Sequence, residues 1–143
     1  KKKNKNVNVV PDTYIEADPV EASEEARKSG DTVPESALGK KLASADKKVR
    51  DKAVLVLANW LSKQSSLSED DHLKIWKALY YCFWMSDKPP VQNELAEKMA
   101  EFIHKFPTLE QGVLFFRTFF KTMDREWPGI DKLRLNKFYY LVR

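Results

Sequence analysis

Residues 69–90 read EDDHLKIWKALYYCFWMSDKPP, a complete predicted helix with a start signal and a stop signal. Ser68 and Asp71 have the spacing of a capping box, in which two side chains satisfy main-chain N–H groups at the start of a helix. Apolar side chains then recur every three or four residues, so one face of the helix is predicted to be buried. That face contains Leu73, Trp76, Leu79, Tyr80 and Phe83. Pro89 and Pro90 end this helix and suit the first turn of the next one.

The helical period continues upstream of this stretch. A short helix is predicted around residues 35–43, and a longer one over residues 45–63 with Ser44 as its N-cap. The longer helix is predicted to bury a stripe with three- and four-residue spacing. The stripe contains Val49, Ala53, Val56, Leu57, Trp60 and Leu61. These helices extend the predicted core towards the N-terminus.

The period also continues downstream. Further helices are predicted over residues 91–106, 109–127 and 132–143. Thr108 with Gln111 repeats the capping-box pattern, and Asp131 is placed to cap the last helix. The first of these helices is predicted to bury Val91, Leu95, Met99, Phe102 and Ile103. The second is predicted to bury Val113, Phe116, Phe119, Phe120 and Met123.

No segment has the two-residue period of a strand, so the predicted fold is all-α. The connections are short, which favours antiparallel neighbouring helices. The helix starts at Ser68 and Thr108 lie 40 residues apart, at the lower end of the HEAT and armadillo period of roughly 40–47 residues. We therefore predict a short HEAT/armadillo-like stack of antiparallel helical hairpins, with an extended N-terminal tail.

Composition divides the chain near Pro34. Residues 1–33 contain one aromatic side chain, Tyr14, whereas residues 34–143 contain the other 16. A segment so poor in large apolar groups does not offset its own ordering entropy. Residues 1–33 are therefore predicted to be an extended or disordered tail, and residues 34–143 a helical-repeat domain. The tail docks on the domain or on a partner through residues 7–20, or it is vector-derived sequence; both readings stay open.

Positive charge belongs to the predicted domain. The whole chain has a net charge of +4, and residues 1–33 hold six basic and seven acidic side chains against 19 and 14 in the remainder. Two basic stretches, residues 39–52 and 131–143, are candidates for contact with RNA phosphates. The candidates are Lys40, Lys41, Lys47, Lys48, Arg50, Lys52, Lys132, Arg134, Lys137 and Arg143. An ordinary solvated helix face with interspersed acids is an equal alternative.

The sequence contains no recognisable catalytic constellation. His72 and His104, the two histidines of the chain, lie near helix ends, and Cys82 is a lone cysteine within an apolar helix. Residues 69–71 are three acids in a row that point in different directions on a helix, which suits a helix start better than a metal site. The four glycines form no phosphate-binding fingerprint, and no apolar run is long enough to span a bilayer. We predict a soluble non-enzyme with no cofactor, no metal, no membrane partner and no small-molecule substrate.

Three blocks of the sequence resemble one protein family. They read LASADKKVRDKA (residues 42–53), IWKALYYCFWMSDKPPVQNELA (75–96) and REWPGIDKLRLNKFYYLVR (125–143). In this order they closely resemble the ribosomal RNA-processing protein 1 family, and the resemblance covers about residues 38–143. Residues 1–33 resemble nothing in that family. Because the family continues with more helices and a long basic region, the domain is expected to be truncated at its C-terminal end.

The resemblance implies an all-α, HEAT-like assembly factor of the nucleus and nucleolus that acts without catalysis. Its expected role lies in maturation of the pre-60S precursor of the large ribosomal subunit and in processing of pre-rRNA. Expected partners are other large-subunit assembly factors, including WD-repeat and Brix-domain proteins, with pre-ribosomal RNA as a further partner. The alternative is a direct RNA-binding module that contacts ribosomal RNA through its basic helical faces.

The resemblance also supplies candidate partner-binding residues, carried over position by position from the family motifs. In the second block they are Trp76, Lys77, Tyr81, Trp84, Ser86, Asp87, Lys88 and Pro89. In the third block they are Arg125, Trp127, Asp131, Arg134 and Lys137. Most of the aromatic run at residues 79–85 is predicted to be core, with Tyr81 and Trp84 at its margin.

Overall fold

The computed structural model of the chain describes residues 37–143, and this part is all-α, as predicted. It contains six α-helices: α1 (Ala37–Leu42), α2 (Lys47–Leu61), α3 (Glu69–Trp84), α4 (Pro89–Glu101), α5 (Leu109–Glu126) and α6 (Lys132–Val142). Short 3₁₀ turns follow α4 and α5, at Phe102–His104 and Trp127–Gly129. The predicted tail, residues 1–33, lies outside the described residues.

Most helix starts follow the local signals in the sequence. Ser68 and Asp71 form the predicted reciprocal capping box, and two prolines occupy the first turn of α4. Thr108 and Asp131 cap α5 and α6 as predicted. The second half of the predicted capping box at Thr108 is wrong, because the Gln111 side chain bonds to the Leu67 main chain and to His72 instead. The predicted N-cap of α2 is wrong. Asp46 caps this helix by accepting a hydrogen bond from the Lys48 N–H at 2.8 Å, whereas Ser44 lies two residues earlier and accepts from the Asp46 N–H.

Helix α3 lies at the centre of the core and packs most extensively against α5. The Trp76 ring stacks on Phe115 with 4.3 Å between centroids, and its indole N–H donates to the Phe115 carbonyl at 2.7 Å. The predicted inner face of α3 is confirmed except for Leu73, which is half-buried. Helix α1 packs on α2 and α3, while α4 packs on α3 and α6. The central position of α3 explains why its sequence is apolar over more than one face.

The predicted inner face of α5 is confirmed at Phe119 and Met123, which are buried, and wrong at the other three positions. Val113, Phe116 and Phe120 are exposed, with 53% of Phe116 accessible. The buried residues that the prediction missed are Gln111, Gly112, Phe115, Thr118 and Thr122. Threonine hydroxyls are satisfied within the helix itself, because Thr122 donates to the Thr118 carbonyl at 2.9 Å and Thr118 donates to earlier carbonyls. The buried face of α5 therefore packs closely where its side chains are small and bond within the helix. The hydrophobicity pattern predicted burial of the adjacent face instead.

The predicted stripe of α2 is also partly wrong. Val56 is 56% exposed, and Val54 is buried in its place. Arg50 is buried as well, because its guanidinium group donates to the Ser44 carbonyl at 2.8 Å and to the Ala45 carbonyl at 2.9 Å. An arginine thus holds the turn before α2 from within the core. In the segment after Pro89, Leu95, Met99 and Phe102 are buried as predicted, whereas Val91 and Ile103 are half-buried.

Gly112 marks the closest approach of α5 to the 3₁₀ turn after α4. A Cβ atom at this position would lie 2.9 Å from the Ile103 carbonyl oxygen, which is shorter than real Cβ contacts allow. We expect Gly112→Ala to lower the free energy of unfolding by about 1–2 kcal/mol, because the overpacking strain exceeds the helix-propensity gain. Urea denaturation measures this, with Gly39→Ala as the matched control, since a Cβ on Gly39 meets no atom within 4 Å. A stabilised Gly112→Ala variant would contradict the close approach.

Candidate partner-binding site

Two of the sequence blocks meet where α6 crosses the end of α3, through residues that lie more than 50 positions apart in the chain. The ammonium group of Lys137 donates to the main-chain carbonyls of Trp84 and Ser86, each at 2.7 Å. Gln92 also donates to the Ser86 carbonyl, at 3.0 Å. Carbonyls at the end of a helix lack partners within the helix, and a buried cation here satisfies one of them. We call this arrangement, centred on Lys137, Trp84 and Ser86, the α3–α6 junction.

Arg134 covers the outer side of the α3–α6 junction. Its guanidinium carbon lies 4.6 Å from the centroid of the Trp84 ring, which is within range of a cation–π interaction. The same guanidinium group pairs with the Asp131 carboxylate, whose other oxygen accepts the Arg134 N–H at 3.0 Å. Asp131 therefore caps α6 and orients Arg134 at once. These contacts make the predicted site residues part of one structural unit.

An aromatic cluster forms the apolar side of the junction. Phe138 is fully buried and lies 5.0 Å from Tyr80, 5.2 Å from Phe83 and 6.2 Å from Trp84, measured between ring centroids. Such pairs add stability beyond the area that they bury. Phe138 comes from α6 and the other three rings from α3, so the cluster and Lys137 together hold these two helices. The predicted core role of this aromatic run agrees with the structure.

The candidate partner-binding residues separate into internal and accessible groups. Trp76, Ser86 and Lys137 are buried, so their side chains stabilise the fold. The half-buried members are Lys77, Tyr81, Trp84, Trp127, Asp131 and Arg134, and the exposed members are Asp87, Lys88, Pro89 and Arg125. A partner can reach only the second and third groups, which lie along the end of α3 and the segment from Arg125 to Arg134.

The phosphate candidates divide in the same way. Lys40, Lys41, Lys48, Lys52, Lys132 and Arg143 are exposed. Lys47 and Arg134 are half-buried and pair with Asp51 and Asp131. Arg50 and Lys137 are buried and bind main-chain carbonyls, so these two are not placed to contact phosphate. The basic stretches in the sequence identified where positive charge is concentrated, but they did not indicate which of these side chains are buried.

The outer face of α6 is an accessible apolar surface that adjoins the junction. Leu133 is 93% exposed, and Tyr139 and Tyr140 are about half exposed. Leu133 and Tyr140 are seven residues apart and therefore share one side of the helix. We call Leu133, Tyr139 and Tyr140 the α6 face. Tyrosine is enriched among the residues that contribute most to protein–protein binding, and exposed apolar residues on one side of a helix can bind a partner's groove.

Sequence reasoning missed a second apolar surface, on α5. Phe116 and Phe120 form the wall of an open groove of about 320 Å³ that also contacts the ends of α4 and α6. The floor contains Trp76, Met99, Phe115 and Phe119, and the remaining lining residues are Ala100, Ile103, Leu141, Val142 and Arg143. Gly112 and the threonines of α5 were the signal, because small residues with helical spacing indicate the packed face.

Titratable groups in the core show how strongly the interior is desolvated. Burial lowers the pKa of Lys137 to about 8, so its amine is still mostly protonated at pH 7. Burial also raises the pKa of the Cys82 thiol to about 12, which makes this side chain unreactive. Between residues 37 and 143 no group of three His, Cys, Asp or Glu side chains is arranged to hold a metal ion. No helix in that range is long and apolar enough to cross a membrane.

His72 provides a pH test of the core. It is fully buried, its Nε2–H donates to Gln111 Oε1 at 3.0 Å, and its Nδ1 has no hydrogen-bond partner among the described residues. Burial lowers the pKa of this imidazole below its ordinary value of 6.5. Below pH 6.5, therefore, the His72 imidazole is protonated in the unfolded chain but remains largely neutral in the folded protein. We expect the free energy of unfolding to fall between pH 7 and 5.5, by at most about 1.4 kcal/mol per pH unit.

Urea denaturation across that pH range measures the effect. His72→Gln should remove the pH dependence, whereas His104→Gln, which replaces the exposed second histidine, should retain it. Equal pH profiles for the two variants would contradict the assignment to His72.

Comparison with known proteins identifies the family. The model of the family described as "Nucleolar protein, Nop52" matches residues 33–143. The chain is 48% identical over 108 residues to mouse ribosomal RNA processing protein 1 homolog B, and 43% identical over 115 residues to human ribosomal RNA processing protein 1 homolog A. It is 41% identical over 107 residues to the Drosophila melanogaster homolog.

These matches cover 71–77% of the chain but only 15%, 25% and 16% of the three relatives, in that order. The chain therefore spans a quarter or less of the length of these curated relatives. Because the family model matches well over half of the sequence, the resemblance seen in the three sequence blocks is confirmed, and the chain belongs to the Nop52 family of nucleolar proteins.

Proposed function

We propose that this chain is a non-catalytic scaffold in ribosome biogenesis that acts through protein–protein contacts during nucleolar maturation of pre-60S particles and processing of pre-rRNA. The observation that carries the proposal is family membership over residues 33–143, together with relatives that are named for ribosomal RNA processing. The description of the family as nucleolar supports the nucleolus as the proposed site of action. The proposed partners are other assembly factors, including WD-repeat and Brix-domain proteins.

The α6 face supports a scaffold role because it is apolar, exposed and rigidly held. Lys137, on the same helix as Leu133 and Tyr140, is fixed to the end of α3 by two hydrogen bonds. A surface that is ordered before binding loses less entropy when a partner docks. We therefore assign partner binding first to the α6 face and to the exposed residues Asp87 and Lys88 next to the junction.

Helix pairing supports the proposal that the domain is a short HEAT-like stack. His72 pairs with Gln111 and Trp76 pairs with Phe115, and both pairs are separated by 39 residues. A constant separation is what two repeats produce when equivalent helices stack side by side. The value agrees with the 40-residue interval between the helix starts at Ser68 and Thr108. Extended surfaces of stacked repeats commonly serve as binding sites.

The second candidate function is direct contact with ribosomal RNA. Six exposed cations, four of them between Lys40 and Lys52, support it. Phosphate contacts release counterions, so such binding weakens steeply as salt rises. The burial of Arg50 and Lys137 reduces the basic surface that the sequence suggested, and for this reason we rank RNA contact second.

Sedimentation tests the two functions. The tagged chain is added to a nucleolar extract and run through a density gradient at moderate and at high salt. Co-migration with large-subunit precursors that persists at high salt supports the scaffold, whereas association lost at high salt supports RNA contact. Migration as a free monomer under both conditions would contradict both functions for this segment.

A pair of variants assigns the surface. Leu133→Ser with Tyr140→Ser should abolish salt-resistant co-migration. Leu55→Ser with Val56→Ser, which changes an exposed apolar pair on α2, should leave it intact. Equal losses in the two double variants would contradict the assignment to the α6 face.

A further inference from the structure

Helix α5 presents a line of exposed apolar side chains with the spacing of a helix–helix seam. Leu109, Val113, Phe116 and Phe120 are between 45% and 84% exposed, and we call them the α5 stripe. Their intervals of four, three and four residues keep them in one line over about 16 Å of the helix. Soluble proteins rarely leave a contiguous apolar surface of this kind uncovered, so the α5 stripe is expected to bind a partner.

Charged side chains follow the α5 stripe along one flank, with opposite signs towards its two ends. Glu110 lies beside Leu109 at the start of α5, whereas Arg117 and Lys121 lie beside the two phenylalanines. None of these three charged residues lines the groove, so this flank is distinct from it. Asp124 lies one turn beyond the last residue of the stripe. A surface with an acid near one end and bases near the other is complementary to the same surface turned through 180°.

The charged side chains of this flank are accessible to a facing molecule. Arg117 and Lys121 share one carboxylate, that of Glu69, and their side chains remain 59% and 52% exposed. Glu110 is exposed and forms no ion pair within residues 37–143. Two exposed cations that share one anion can approach a second carboxylate. Such contacts determine the orientation of a complex more than its affinity.

We propose that the α5 stripe binds a second copy of this chain, with the two α5 helices antiparallel about a twofold axis. In that arrangement Leu109 faces Phe120 of the second copy, and Val113 faces Phe116 of the second copy. Every layer then pairs a smaller side chain with a larger one, which favours even packing. Glu110 lies across from the second copy's cations. A parallel arrangement would place large rings opposite each other and like charges side by side, so it is disfavoured.

The size of the α5 stripe predicts a weak, reversible dimer. A phenylalanine side chain buries about 150–250 Å² when fully covered, so the half-exposed Phe116 and Phe120 of two copies contribute roughly 400 Å². Leu109, Val113 and the charged flank bring the total towards about 1,200 Å², the lower end of the range for specific interfaces.

Analytical ultracentrifugation of the purified 143-residue chain tests the proposal. The average mass should rise from monomer towards dimer as the concentration is raised about a hundredfold, by mass action. Phe116→Ser and Val113→Ser should each keep the chain monomeric over that range, and because both positions are exposed the core stays intact. The control is Leu133→Ser with Tyr140→Ser on the α6 face, which should dimerise as the unchanged chain does.

Cysteine cross-linking tests the antiparallel orientation. Leu109→Cys chains are mixed with Phe120→Cys chains, one of which carries a tag that changes its size. Antiparallel pairing brings position 109 of one copy to position 120 of the other, whereas two identical positions lie about 16 Å apart, beyond the reach of a disulfide. We expect the mixed disulfide to exceed each same-variant disulfide by at least about fivefold. Cys82 does not interfere, because it is fully buried.

Three results would each overturn the proposal. They are a monomer at every concentration, a dimer that persists in both stripe variants, and same-variant disulfides at the yield of the mixed one. A monomer at every concentration would assign the α5 stripe to a different protein. The outcome is independent of the nucleolar sedimentation result, since no ribosomal component is present.

Discussion

Replacing Phe115 with alanine should lower the free energy of unfolding by about 3–5 kcal/mol, whereas replacing the adjacent Phe116 should lower it by less than about 1 kcal/mol. Phe115 is 1% exposed, stacks on Trp76 and contacts His72 and Phe106. Its removal leaves a cavity at the center of the α3–α5 packing. Phe116 stands half in solvent, where truncation removes little buried area.

Urea denaturation of the two variants, monitored by far-UV circular dichroism, measures this difference directly. The two positions share residue type, helix and sequence context, so each variant is the control for the other. The hydrophobic pattern alone predicts the opposite order, because it places Phe116 inside. Equal losses, or a larger loss for Phe116→Ala, would show that α5 packs in the register that the pattern suggests.

Lys137→Met should destabilise the protein by about 2–3 kcal/mol. Methionine replaces most of the apolar stem but donates no hydrogen bond. The Trp84 carbonyl then loses the ammonium donor, while the Ser86 carbonyl keeps Gln92 as a second donor. Replacing both members of a buried polar pair by apolar groups can leave the stability unchanged. Here only the donor is replaced, so the main-chain carbonyl of Trp84 stays buried without a hydrogen bond.

The matched control is Lys132→Met, which makes the same change at an exposed position on the same helix. It should change the free energy of unfolding by less than about 0.5 kcal/mol. Both variants are compared with the unchanged protein by urea denaturation at pH 7, where most Lys137 side chains are protonated. Similar values for the two variants would mean that the α3–α6 junction contributes nothing to stability.

The elements that the sequence predicted well depend on neighbouring residues. The reciprocal hydrogen bonds of Ser68 and Asp71 involve atoms within one helical turn, so the motif alone identifies the start of α3. The prolines at the start of α4 act through their own ring geometry. The inner face of α3 was predictable because it contains more apolar residues than any other face of the helix.

The errors arose where distant segments determine the packing. Gly112 is buried because the Ile103 carbonyl approaches it. The small residues of α5 indicate a packed face, but the segment that packs there is distant in sequence and no pattern on α5 identifies it. Arg50 and Lys137 were predicted as phosphate contacts because an exposed and a buried cation look alike in a sequence. Each is internal because main-chain carbonyls elsewhere in the fold accept its hydrogen bonds. Family motifs located the junction residues but did not reveal which of them stabilise the fold.

The hydrogen bond from Lys137 to the Trp84 carbonyl joins residues 53 positions apart, and this separation has a consequence for synthesis on the ribosome. At about 5–20 residues per second, Lys137 is made roughly 3–10 s after Trp84. During that interval Tyr80 and Phe83 have no Phe138 to cover them, and the end of α3 lacks its cationic partner. Nascent chains in this state expose an aromatic surface, and transiently exposed apolar surface promotes aggregation. Slow translation between α4 and α6 should therefore lower the yield of soluble protein.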